Sequence, residues 1–138
     1  QQAQSAKLLP PEPKKEEVQK PEENPENAFV YSEIKDLILN VTTSKGREKL
    51  MKLSFSIKSN EPTVDAIVQA NKAEIVDVVI HQVSSRNAEE LLTAAGKDLL
   101  KEELISEINT ILNDATSENP EVIKNMAKDI YFTTFVIK

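Results

Sequence analysis

Apolar positions fall into three regimes along the chain. Between Leu37 and Ile57 they alternate with polar ones. From Val64 to Leu112 they recur at helical spacing, and over Asp129–Lys138 they run together as β-branched and aromatic residues. Alternation marks a half-buried strand, and a three-to-four-residue recurrence marks an amphipathic helix. Leu37, Leu39 and Val41 therefore predict one strand. Met51, Leu53, Phe55 and Ile57, opposed by Lys52, Ser54, Ser56 and Lys58, predict its return, with one face packed and the other wet. The intervening Thr42-Thr43-Ser44-Lys45-Gly46-Arg47 reads as the hairpin loop, with Gly46 at the position that needs positive φ. The preceding FVYSEI (Phe29–Ile34) is apolar enough to pack on the domain edge and receives no element of its own.

Asn60-Glu61-Pro62-Thr63 has the composition of a helix start, with a capping-type residue, an acid and a proline in the first turn. Val64, Ile67, Val68, Asn71, Ile75, Val78, Val79 and Gln82 then follow one helical stripe. EIVDVVIHQV is β-branched enough to compete as a strand. Poor alternation and an uninterrupted run from Thr63 favour a single helix. Asn87–Leu92 reads as a short helical turn. Thr93 recaps, and a second long helix runs from about Ala94 to Asn113. Its core stripe is Leu100, Leu104, Ile108 and Ile111/Leu112, with Lys101, Glu102, Glu103, Glu107 and Asn109 mainly on the other side. Gly96 falls in the first turn of that helix, where glycine costs about 1 kcal/mol relative to alanine. Close packing or a bend is the reason to expect it there. Residues 114–128 form a polar connection in which Val122, Ile123 and Met126 suggest one helical turn. The closing DIYFTTFVIK holds three of the six aromatics and reads as a strand that pairs with the hairpin. The expected fold class is α+β: a small antiparallel sheet, hairpin plus C-terminal strand, packed in two layers against two main helices.

Residues 1–28 break this patterning. They hold five of the seven prolines, four lysines and six glutamates, and almost no apolar residue that could offset the entropy of ordering. They read as a disordered Pro/Glu/Lys-rich linker, spanning roughly 30 Å as a coil and roughly 90 Å stretched. Leu8-Leu9-Pro10-Pro11 is its one candidate docking motif. The fold is thus assigned to residues 29–138. The chain carries −6 and the linker −2, which leaves −4 on the domain. An acidic domain with scattered lysines lacks the dense basic face that nucleic-acid binding needs. With no cysteine, disulfides and thiolate metal sites are excluded. No run of 18 apolar residues is present. The start at Gln1, in linker-like composition, suggests a piece of a longer protein.

Candidate chemistry is sparse. His81 is the one histidine, and Asp77 a turn before it could orient its ring, but without a partner ligand it reads as an ordinary helix histidine at a partly exposed edge. Ser84-Ser85 lacks the G-x-S-x-G turn of a nucleophile and reads as the end of one helix and the start of the next. Ser44-Lys45-Gly46-Arg47 lacks the phosphate-loop pattern. Glu89-Glu90 and Lys101-Glu102-Glu103 form charged faces, solvated or offered to a protein partner. Phe29, Tyr31 and the closing aromatics suit core or edge packing. The inventory points to no catalytic, cofactor-binding or metal-binding residue, and so to a non-enzyme.

Three stretches taken together resemble one family. They are the alternating KLMKLSFSIKS, then SSRNAEELLTAAGKDLLKEELISEIN, then KDIYFTTFVIK at the end. They are similar to the extracytoplasmic domain of FliL, the flagellar basal-body-associated family. Its pattern falls on Ser84, Ser85, Ala88, Glu89, Glu90, Leu91, Gly96 and Lys97, and on Asp129–Ile137 with Tyr131, Phe132 and Phe135. Ala94-Ala95 stands where the family often carries Pro and an acid, so a less firmly capped helix is expected there. The resemblance covers about residues 30–138. It implies a stomatin-like fold that assembles side by side into homo-oligomeric rings. It also implies a single-pass inner-membrane protein, anchored by an N-terminal helix absent from this sequence, with this region in the periplasm. It further implies a non-enzymatic accessory role at the basal body, supporting the stator subunits and favouring their active state. Arg86, Glu89, Glu90, Lys97 and Lys101 are the polar residues expected at subunit contacts. A stomatin-like periplasmic adaptor or chaperone module unrelated to flagella is the alternative.

Overall fold

The computed structural model describes residues 28–138, so the linker expected over 1–28, its Leu8-Leu9-Pro10-Pro11 motif and any membrane anchor lie essentially outside the described residues. The elements run β1 (Val30–Thr42), β2 (Glu48–Ser59), α1 (Val64–Ala70), α2 (Lys72–Ser84), α3 (Ala88–Leu91), α4 (Ala94–Ala115) and β3 (Ala127–Ile137). The strands form one antiparallel sheet in the order β1-β2-β3. The helices cover one face of it, and the α+β expectation is met.

The predicted strand faces hold on the packed side. Met51, Leu53, Phe55 and Ile57 are fully buried. They meet Val64 and Val68 of α1, Ile75, Val79 and Val83 of α2, and Leu100, Leu104, Ile108 and Leu112 of α4 in one core. Each such aliphatic side chain stabilises the fold by roughly 1.5–3 kcal/mol on burial. The tight loop is closed by Gly46 N–H donating to the Thr43 carbonyl at 2.9 Å, with Gly46 at φ +82° as its position requires.

FVYSEI, left without an element by its sequence, lies at the sheet edge as a strand: Val30–Ile34 is the first half of β1, paired with Ser59–Phe55. The apolar parity changes between Ile34 and Leu37, because Lys35 and Asp36 together oppose Ser54 in a bulge where Asp36 takes φ +62°. β3 bulges at the same level, with Thr133 extra between Phe132 opposite Phe55 and Thr134 opposite Ser54. Phe132 and Phe135, three residues apart, therefore both reach the packed side, with ring centroids 5.3 Å apart. Ser54 and Ser56, expected to be wet, are only 5% and 9% exposed. Both are short side chains on the central strand, and the Ser54 hydroxyl accepts the Asp36 N–H at 2.9 Å.

The single helix expected from Thr63 is two. Asn71 ends α1 and begins α2 at φ −115° and ψ 21°, and its side-chain amide donates at 2.8 Å to the Ile67 carbonyl, which also accepts the Asn71 N–H at 3.2 Å. The helix start is also built differently. Glu61, 5% exposed, accepts from the N–H and hydroxyl of Thr63 at 3.0 and 2.7 Å, while Pro62 sits ahead of the first turn. The helical turn expected at Val122–Met126 is absent. That segment is irregular and is held by side chains instead: Glu61 accepts the Ile123 N–H at 3.0 Å, and the Lys124 ammonium donates to the Thr116 carbonyl at 2.8 Å at the end of α4.

Candidate functional site

The stretch from Ser84 to Lys101 contains every polar residue expected at subunit contacts. The fold divides it into a corner and a ridge. At the corner, Ser85 ends α2 and its hydroxyl donates to the Gln82 carbonyl at 3.0 Å. Arg86 folds back, its Nη1 donating to the Gln82 carbonyl at 2.6 Å and to Gln82 Oε1 at 2.8 Å, while Gln82 Nε2 donates to the Glu107 carboxylate. Arg86, Gln82 and Glu107 thereby join α2 to α4. Asn87 bridges to Thr42 at the end of β1, and its Oδ1 caps α3 by accepting the Glu90 N–H at 2.8 Å.

Glu89 reaches the hairpin loop. Its two carboxylate oxygens accept from the Ser44 N–H at 2.9 Å and from the Ser44 hydroxyl at 3.2 Å. The Ser44 N–H is the main reason this carboxyl lies below the usual glutamate range. Glu90, exposed beside it, gives its carbonyl to the Thr93 hydroxyl at 2.7 Å, and the same hydroxyl accepts the Gly96 N–H at 2.9 Å to cap α4. The helix start is thus capped by Thr93 despite Ala94-Ala95. Gly96 is required by the turn between α3 and α4, since a Cβ there would lie 1.9 Å from the Glu90 carbonyl oxygen. Leu91 is fully buried beneath. Ser84, the last residue of α2, is exposed, while Ser85, Asn87, Leu91 and Gly96 shape a corner that Glu89 and Asn87 clamp to the hairpin.

Lys97 and Lys101 form the ridge, one turn apart on α4 and close to β3. The Lys97 ammonium lies 5.0 Å from the centroid of Phe135. That of Lys101 lies 5.8 Å from Tyr131 and 3.8 Å from the Asp129 carboxylate. The fold groups Arg86, Glu89 and Glu90 at the corner and sets Lys97 and Lys101 along β3, so the five do not converge on one pocket. His81 and Asp77 are both exposed on α2. Among the described residues no group of three or more His, Asp or Glu side chains is placed to hold a metal ion. No helix among them is long and apolar enough to cross a membrane.

Sequence reasoning missed the polar residues that secure β3. Asn109, assigned to the solvent side, donates to the Ala127 carbonyl at 3.0 Å and accepts the Ala127 N–H at 2.9 Å. One turn on, Asn113 makes the same pair of bonds with Asn125, accepting its N–H at 2.8 Å and donating to its Oδ1 at 2.9 Å. Two asparagines four apart in a helix, where asparagine is a poor former, were the available signal.

This order of strands, clamp and terminal strand can be set beside known proteins. The family model described as "Flagellar basal body-associated protein FliL" matches residues 31–137, which is all of the sheet but its first residue and every helix between its strands. The chain belongs to the FliL family. A protein described as "Flagellar protein FliL" from Aquifex aeolicus is 29% identical over 114 residues, covering 83% of this chain and 64% of that protein. The chain thus spans a little under two thirds of that relative's length. The family match takes in all three stretches on which the sequence resemblance rested: the alternating strand Lys49–Ser59, the run from Ser84 to Asn109, and the closing strand from Lys128.

Proposed function

We propose that this domain is a non-enzymatic accessory scaffold of the flagellar basal body. In this reading the domains stand in the periplasm on a single-pass inner-membrane anchor and assemble side by side in a stomatin-like ring around the stator unit. The ring supports the stator's active state during motility or swarming. Membership of the FliL family is the observation that carries it. The shape is suited to the role. Among the described residues the three-stranded sheet leaves β1 and β3, 13 and 11 residues long, each with one edge unpaired by a strand, and edges of this kind are natural sites for neighbours. β1 alone is about 40 Å long at 3.3 Å per residue, so the hairpin tip is carried well away from the end where the N-terminal segment enters.

Subunit contacts are assigned to the polar ridge and corner carrying Arg86, Glu89, Glu90, Lys97 and Lys101. Because Glu89 also holds Ser44, reversing its charge would disturb the hairpin clamp as well as any neighbour. Glu90→Lys with Lys101→Glu leaves this clamp intact, at the cost of the 3.8 Å pair between Lys101 and Asp129. The double substitution should reduce crosslinked oligomers of the full-length protein in membranes and shrink the swarm ring. Oligomers and swarming both at wild-type level would remove these residues from the interface. For the role itself, deleting residues 29–138 in frame should lower the number of fluorescently tagged stator units retained at each motor. Unchanged retention and unchanged motility under load would contradict it.

A further inference from the structure

The sheet face turned away from the helices is not uniformly polar. Ile38, Leu50 and Val136, 60%, 55% and 42% exposed, come from three adjacent strands. Ile38 and Val136 flank Lys52 in register on either side of β2, and Leu50 lies two residues along. They line a shallow apolar groove with Thr134, and the only charged side chains in its lining are Lys52 and Lys138. The groove sits towards the hairpin end of the sheet. It takes no part in the clamp at Glu89 or the ridge at Lys101. Clustered exposed aliphatics rimmed by like charge mark a partner surface more than a solvated sheet face.

We propose that this half of the open face docks an amphipathic helix of a partner protein, one whose apolar stripe is flanked by Glu or Asp. Three branched side chains in a triangle fit the i, i+3/i+4, i+7 stripe of a helix laid across a sheet. The charge selects the partner: residues 29–138 carry −4 in total, yet this groove is lined by cations, so an acidic helix is attracted here and repelled by most of the remaining surface. A second copy applied face to face would bring lysines towards lysines. The inference deepens the accessory reading by naming a face through which a motor component is held. Its test uses only the isolated chain, so it fails separately from any result on motility.

The test is a titration of the ¹⁵N-labelled 138-residue chain with two designed helical peptides. Both carry leucines at i, i+3, i+4 and i+7, flanked by glutamates in one and by lysines in the other. The glutamate peptide should shift the amides of Ile38, Leu50, Lys52 and Val136 and bind about tenfold more tightly than the lysine peptide. Leu50→Ser should weaken both peptides. Lys52→Glu should reverse their order, and neither substitution should move the melting temperature, because both positions face solvent. Equal affinity for the two peptides, no binding, or shifts confined to the helix layer would overturn the proposal. Shifts of the same amides on raising protein concentration alone would assign the groove to a second copy, and shifts on removing residues 1–27 would assign it to this chain's own N-terminal segment. Either result would also overturn it.

Discussion

Glu61 shows how one carboxylate can hold two segments together. Burial raises the pKa of this carboxyl, but the N–H of Ile123 and the hydroxyl and N–H of Thr63 outweigh that and leave it below the ordinary glutamate value. A carboxyl with a lowered folded pKa adds stability above its unfolded pKa, about 4.3, and loses it as pH falls through the lower folded value. Chemical denaturation at pH 7 and at successively more acidic pH should therefore show an acid-side loss of stability that is reduced in Glu61→Gln. An unchanged acid limb in that variant would mean the loss arises elsewhere. Gly96 makes an equally local demand, since any Cβ meets the Glu90 carbonyl. Gly96→Ala should cost about 1–3 kcal/mol in urea unfolding through forced separation of α3 and α4, in spite of alanine's better helix propensity. Asn109→Ala leaves the Ala127 N–H and carbonyl without their partners, and should cost about 1–3 kcal/mol. Faster amide exchange at the start of β3, ahead of global unfolding, is its expected signature.

At the scale of elements, β2 and α4 were legible because their apolar residues keep one period, and β3 because its β-branched and aromatic run is unbroken. Where β1 was misread, the period changes in mid-strand. Ile34 and Leu37, like Phe132 and Phe135, step by three within a strand, and that step is the trace of a bulge. The break at Asn71 was written in the sequence as an asparagine in the middle of the apolar stripe, but the helical spacing carries on through it, because its N–H and carbonyl still bond to Ile67 and Ile75. The connection from 114 to 128 could not be read locally, because Glu61, Asn109 and Asn113 hold it from outside. For the candidate site, position was legible and role less so: the motif at Ser84–Gly96 was found, yet its contact to Ser44 across the fold had no local signal. α4 is the element on which the core depends most. Leu104, fully buried on its central turn, should cost about 2–5 kcal/mol when replaced by alanine, measured by thermal or urea unfolding. A loss under 1 kcal/mol would mean that α4 is not seated as described.

Among the described residues, the molecule is a helix layer closed around its core and a sheet layer that presents two edges and an uncovered face. That asymmetry suits a scaffold, whose surfaces are its working parts, and it accords with the FliL family to which the chain belongs. The proposed ring and its support of the stator stand or fall on physical association in the cell. The most direct measurement is affinity purification of the full-length protein, under gentle crosslinking, from motile cells. The account predicts that stator subunits are recovered with it, and in smaller amount from cells carrying Glu90→Lys with Lys101→Glu. Recovery of the protein in quantity without stator subunits would contradict the account.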